Sequence, residues 1–209
     1  SHAVVAGAPD CLSDAYKLNI GLRPSDTYVN AGLLVLNLER IRKLNLEQKF
    51  LRYIGNKSKL LTYVDQEVLN SCVPEEEKIE LPLRYNSYSI LHYLTYKQLK
   101  SLRHVEHIFS EETYRDAINN PVVLHFTGCF LEGTRPWIKG DKHPQRAAFE
   151  KYKAMSQWAD MPAWENKWNK RQILELLIVK ITPKCILTPL IGYIHGVYVP
   201  RKNKRLQEE

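Results

Sequence analysis

The sequence predicts an α/β fold, and three observations carry that expectation: apolar runs short enough to be strands, helical periodicity between them, and start and stop residues at the joints. With 209 residues, 44% of them hydrophobic and 25% charged, the chain can build one domain with its own core. The first run, Ala3-Val4-Val5-Ala6, reads as a strand already under way, as though further chain preceded it. Tyr28 to Leu38 has a continuous apolar centre and is expected to be a strand buried on both faces. Leu46, Phe50, Leu51 and Ile54 share one helical face, with Gly55 placed to stop that helix. Val64 to Cys72 is a second, shorter helix, for which Asp65 could serve as a cap. Ser110 before Glu111 and Glu112 is a capped helix start, and this helix should end before Pro121. Pro121 to Phe126 then reads as a buried strand that delivers His125 at its end. Beyond Pro144 the pattern turns helical and aromatic, so we divide the chain near Pro162 into a body, 1–162, and a basic amphipathic tail, 163–209.

Charge follows that division. Residues 165–209 hold nine Lys/Arg against four Glu, which is five of the seven net positive charges. The asymmetry points to an anionic surface meeting the tail. Within 165–181 apolar residues alternate with Lys167, Lys170, Arg171 and Lys180, as in a helix lying in a membrane interface, and Arg201 to Arg205 adds further cations. Nucleic acid is not expected as a partner, because the tail's aromatic residues are mixed with aliphatic runs instead of standing on a polar basic platform. No apolar stretch reaches the roughly 18 residues that spanning a bilayer needs. Cys11, Cys72, Cys129 and Cys185 lie far apart with no CxxC pair. That spacing indicates neither a zinc site nor a disulfide framework, and it fits a reducing, cytoplasmic setting.

Three short segments carry the chemistry. Tyr28-Val29-Asn30-Ala31-Gly32 sets an amide and two very small residues inside an apolar strand, which is either a satisfied bulge or a close backbone approach. In Val64-Asp65-Gln66-Glu67-Val68-Leu69-Asn70, three polar residues precede an apolar helical face. The third segment is His125-Phe126-Thr127-Gly128, followed by Gly133-Thr134-Arg135-Pro136-Trp137. Open α/β sheets bind ligands at strand ends such as this one. Neutral imidazole can ligate a divalent metal, Gly lets a backbone N–H approach a phosphate, and Arg supplies a fork of donors.

Taken together, these segments resemble glycosyltransferase family 8, whose members include lipopolysaccharide galactosyl- and glucosyltransferases and the glycogenins. Tyr28 to Leu38 matches the family's Phe/Tyr-x-Asn-Ala/Ser-Gly-x-x-x-x-Asn-Leu, and Asp65, Gln66, Glu67 and Asn70 match Asp-Gln-Asp/Glu-x-x-Asn. Leu81-Pro82-Leu83-Arg84-Tyr85-Asn86 is similar to Leu-Pro-x-x-Tyr/Phe-Asn. His125 to Gly128 with Arg135-Pro136-Trp137 is similar to His-Phe/Tyr-x-Gly-x-x-Lys-Pro-Trp, with Arg in place of the usual Lys and a longer interval before it. His143-Pro144 and Tyr152 resemble the stretch that closes the family's catalytic body.

The resemblance implies a nucleotide-diphospho-sugar transferase fold of the GT-A type and a retaining transfer of glucose or galactose from a UDP-sugar to a glycan or lipid-linked acceptor. It implies His125 as an imidazole ligand to Mn²⁺ (or Mg²⁺) bridging the diphosphate, with Gly128 and Arg135 on the phosphates. Asn30 and Ala31 would contact the donor sugar and ribose side, Asp65 the sugar hydroxyls, and Asp10 would lie near sugar and acceptor. Gln66 would face the anomeric carbon opposite the leaving group. The family's Asp-x-Asp metal motif is not found between Ser1 and Glu209, so the chain reads as the C-terminal two-thirds of a catalytic domain and is expected to be inactive alone. The rival expectation is a non-catalytic module that keeps the fold and holds a glycan or an anionic membrane.

Overall fold

A computed structural model of the chain describes residues 3–57, 61–105, 108–128 and 135–208. The first apolar run becomes β1 (Val5–Pro9), the centre of a three-stranded sheet. A short helix α1 (Asp14–Asn19) follows, capped by Ser13, whose hydroxyl accepts from the Tyr16 N–H. Next, β2 (Val29–Leu36) returns antiparallel to β1, with Val5 opposite Leu36 and a register shift between Gly7 and Pro9. The helices α2 (Leu38–Lys43), α3 (Leu46–Lys57) and α4 (Val64–Cys72) lead to β3 (Lys78–Glu80), which pairs parallel to β1 on its other edge. Val4, Val5, Val29, Leu46 and Val73 form the core between this sheet and its helices.

A second unit of packing begins at β4 (Ser87–Tyr88), followed by α5 (Ser89–Tyr93), α6 (Tyr96–Arg103) and α7 (Glu111–Asn119). As the sequence predicts, Ser110 caps α7 by accepting from the Thr113 N–H. Then β5 (Leu124–His125) pairs parallel to β4, with Tyr88 opposite His125. Leu83, Tyr88, Leu91, Leu99, Tyr114 and Ala117 pack into one cluster under this pair. The remaining helices are α8 (Arg146–Ala154), α9 (Lys170–Ile181), α10 (Lys184–Tyr193), a π-helical turn over Ile194–Tyr198, and α11 (Val199–Glu208).

Four expectations need correcting. The strand at 29–36 is buried at its start and exposed at its end, Val35 being 62% exposed, because among the described residues β2 is the edge strand and its core packing stops at Leu34. Helix α3 runs past Gly55 to Lys57, and Leu51 and Ile54 lie exposed on it. A mid-helix Gly lowers propensity by about 1 kcal/mol and does not by itself end a helix. The strand expected from Pro121 is only two residues long and half-buried, since Val122 N–H bonds instead to the Arg84 carbonyl. Asp65 does not cap α4: it sits exposed in the first turn, behind Tyr63 at the cap.

Residues 184–206 dock against the body. Gly192 makes this possible: a Cβ there would meet the Ser101 carbonyl oxygen at 2.2 Å, so only Gly lets α10 reach the backbone of α6. One turn on, a Cβ at Gly196 would stand 2.7 Å from His104 Cβ. By contrast, α9 leaves Leu174, Leu177 and Ile181 exposed. Among the described residues, no helix is long and apolar enough to cross a membrane.

Candidate active site

The strand end at Pro9 hands the chain to Asp10, whose side chain is only 6% exposed. A carboxylate removed from water needs donors for its lone pairs, and among the described residues it has four. Oδ2 accepts from Asn30 Nδ2 at 2.9 Å and from Gln66 Nε2 at 3.0 Å. Oδ1 accepts from the Cys11 N–H at 2.8 Å and faces Arg103 Nη2 at 3.4 Å. Because the carboxylate can only accept, the amide orientations follow: Gln66 must turn its nitrogen to Asp10, leaving Oε1 to accept from the Ala31 N–H at 3.0 Å. Asn30 Oδ1 in turn accepts from the Gly32 N–H and from Asn86 Nδ2, each at 2.8 Å. The polar residue inside β2 is therefore fully satisfied.

Asn70 locks this network to the sheet. One helical turn after Gln66, it accepts from the Val29 N–H at 2.9 Å and donates to the Val29 and Gln66 carbonyls, both at 2.8 Å. Its amide completes the Val29 backbone as a neighbouring strand would. Glu67 fixes the opposite side of α4: it accepts from the hydroxyls of Tyr16 and Tyr53 and from the Thr62 N–H. Val64, a β-branched residue, has φ +40°, so the turn just before Asp65 and Gln66 is strained.

On the other side stands His125. Its ring lies directly over the Gly32 backbone: a Cβ at Gly32 would stand 2.0 Å from Cε1 and Nδ1. Burial holds the imidazole below its ordinary pKa, against the pull of Asp10 and with a further push from Arg135, so it is neutral at pH 7. Its Nδ1 is buried and has no hydrogen-bond partner among the described residues. Gly128 and Arg135 come together, with Arg135 Nη2 at 3.9 Å from the position of a Gly128 Cβ, and the guanidinium lies over the Trp137 ring at 5.5 Å. The interval 129–134 lies outside the described residues.

Asp10, Asn30, Gln66 and Gly128 line one cavity of about 410 Å³. The structure thus gathers the network and Gly128 on one cleft, with Ala31 bonded to Gln66 and His125 beside Gly32 at its margin. Ala31, Asp65, His125 and Arg135 are not among the residues that line the cavity. Sequence reasoning missed Asn70, Asn86 and Arg103. The two Asn residues stood in the motifs, and the four-residue interval from Gln66 already put Asn70 on the same helix face. Arg103 follows Asp10 by 93 positions, and only folding brings it there.

The residues fit a divalent metal in part. An unpartnered neutral imidazole is a competent ligand, but among the described residues no group of three or more His, Cys, Asp or Glu side chains could hold an ion. The described residues supply one donor and not a complete set.

Comparison with known proteins gives the family and the fold. The family model for glycosyl transferase family 8 matches residues 13–139. General stress protein A of Bacillus subtilis (strain 168) is 29% identical over 133 residues, which is 63% of this chain and 42% of that protein. Lipopolysaccharide 1,2-glucosyltransferase of Escherichia coli is 29% identical over 140 residues, 65% of this chain and 36% of that protein. The chain therefore spans well under half the length of these relatives. Among solved structures, galactosyltransferase LgtC with donor and acceptor sugar analogs superposes with a TM-score of 0.57 at 18% identity, covering 84% of this chain and 57% of LgtC. The fold is accordingly of the GT-A type, and the chain belongs to glycosyl transferase family 8.

Proposed function

We propose that the intact protein is a retaining glycosyltransferase that moves a hexose, glucose or galactose, from UDP to a glycan or lipid-linked acceptor. The observation that carries this reading is the Asp10–Asn30–Gln66 network lining the cleft, with the His125 imidazole, whose Nδ1 has no partner among the described residues, stacked over Gly32 two residues after Asn30. Asp10 and Asn30 are suited to the hexose, and Ala31 to the sugar and ribose side. Gly128 and Arg135 are suited to the diphosphate, whose negative charge grows as the anomeric bond breaks. Asp65, exposed on the first turn of α4, reaches sugar hydroxyls only from the rim.

Retention requires a nucleophile on the face opposite the leaving group or attack from the same face through a short-lived ion pair. Gln66 is a poor nucleophile, because its amide oxygen is neutral and already accepts from Ala31. We therefore favour same-face attack, the Gln66 carbonyl dipole and the Asp10 charge stabilising the oxocarbenium-like centre. His125 would hold Mn²⁺ or Mg²⁺ together with carboxylates supplied from outside 1–209; the ion, when bound, offsets charge on the departing diphosphate. Hydrolysis of UDP-glucose or UDP-galactose by the intact protein should be lost in His125→Ala. Unchanged turnover in that variant would remove His125 from the donor site.

The exposed apolar residues of α9, interleaved with Lys170, Arg171 and Lys180, support peripheral attachment to the inner face of a membrane, where lipid-linked acceptors of surface-glycan assembly reside. Flotation with anionic liposomes should exceed flotation with neutral ones. Equal binding to both would count against attachment through this face.

A further inference from the structure

The cavity that holds the Asp10 network has a second wall, and it comes from the C-terminal segment. Ile191 at the end of α10, His195 and Gly196 in the π-helical turn, and Val199 at the start of α11 line the same space as Asp10, Asn30 and Gln66. This placement is built into the backbone. Gly192 and Gly196 bring the segment against α6 and His104 at distances that no side chain would permit, and α1 packs against the π-helical turn and α11. Asn19 Nδ2 adds a hydrogen bond to the Pro200 carbonyl at 2.6 Å. The π-helical geometry itself is a recurrent mark of functional positions, because the extra residue per turn re-aims side chains.

What the two walls enclose is matched to a sugar ring. Tyr63 and the apolar Ile191 and Val199 offer flat, dry surface for ring C–H groups, while Arg103 and His195 offer polar groups for hydroxyls. Arg103 makes one long contact to Asp10 at 3.4 Å and bonds the Tyr63 hydroxyl, and its partly exposed guanidinium lines the cavity. We propose that Ile191, His195 and Val199 form one wall of the acceptor subsite and thereby set which sugar the enzyme glycosylates. This rests on the transferase reading above and adds to it the source of acceptor choice: the segment after Pro183, which sequence alone assigns to a tail.

The intact protein with UDP-glucose or UDP-galactose as donor and octyl β-glucoside or octyl β-lactoside as acceptor tests this. With UDP present, saturation-transfer NMR should detect contact between the protein and the glycoside ring protons, and Ile191→Trp, which fills the cavity, should abolish it. In transfer assays His195→Ala should raise the acceptor KM by roughly 10-fold or more while moving the donor KM far less. Glycoside contact unchanged in Ile191→Trp, or donor and acceptor KM rising together in His195→Ala, would overturn the proposal. So would a gain in transfer on either substitution, which would make the segment a plug in the site. Absence of any UDP-hexose turnover in the unsubstituted protein would instead sink the transferase reading, while the NMR contact would still decide whether the segment binds sugar.

Discussion

Among the described residues, the amides of Asn30 and Gln66 have both ends engaged and the Asp10 carboxylate has four donors, whereas the His125 imidazole beside Gly32 has no partner at Nδ1 and Arg135 is exposed. The first side is organised before any ligand arrives. The second has donors waiting for one. Such a division suits a reaction in which the sugar must be held in one orientation while charge builds on a departing diphosphate, since prearranged dipoles need no reorganisation at the moment of bond breaking. It also means that equal substitutions on the two sides should have unequal consequences for folding.

The largest effect is expected from Asp10→Ala. It strands the Arg103 guanidinium and leaves the donors of Asn30 and Gln66 without their acceptor, so unfolding by urea should reveal a loss on the order of 3–5 kcal/mol. A loss below about 1 kcal/mol would mean that the network is not the rigid half of the cleft.

Acid should act next, through His92 and His143, which brace the strand pair that carries His125. Burial pushes His92 down to about 4 and holds His143 below its ordinary value, Asp141 opposing the shift at His143. His143 Nδ1 accepts from the Gln145 N–H at 3.0 Å and Nε2 meets Ser89 Oγ at 3.1 Å, an arrangement for the neutral ring. Both groups bind protons more readily in the unfolded chain. Stability is therefore complete above about pH 6.5 and falls toward pH 4, by on the order of 3 kcal/mol for His92. Melting curves in His92→Gln should be flatter over that range; an identical pH dependence would exclude His92.

Gly32→Ala is the third test. Its Cβ cannot coexist with the present His125 ring, so the ring must move, at a cost of about 1–3 kcal/mol and with loss of donor turnover. Full turnover in this variant would show that the position of His125 does not matter.

His125→Leu should change stability least, by about 1 kcal/mol or less, because the substitution removes a buried polar atom that has no partner to lose. A loss as large as that of Asp10→Ala would erase the contrast between the two sides.

Much of this was legible in the sequence because local chemistry wrote it there. The Ser110 cap and the helix at 64–72 came through as read, and of the two readings of Asn30-Ala31-Gly32 the structure shows an Asn whose oxygen is satisfied. What was illegible depended on distant partners. Arg103 ends a helix with no motif of its own, and it meets Asp10 only because α6 packs across the strand end. The open face of β2 could not be read from an apolar run, since the same Val35 and Leu36 would suit a covered strand. The docking of 184–206 hinges on two Gly residues whose meaning appears only when the facing backbone is known.

The most direct test is a crystal structure of the intact protein with Mn²⁺ and a UDP-2-fluorohexose, which binds as donor but resists cleavage. Density for the hexose against Asp10 and Gln66, with the diphosphate beside His125, Gly128 and Arg135, is the expected result. A nucleotide bound elsewhere, or a hexose turned away from Gln66, would contradict the account.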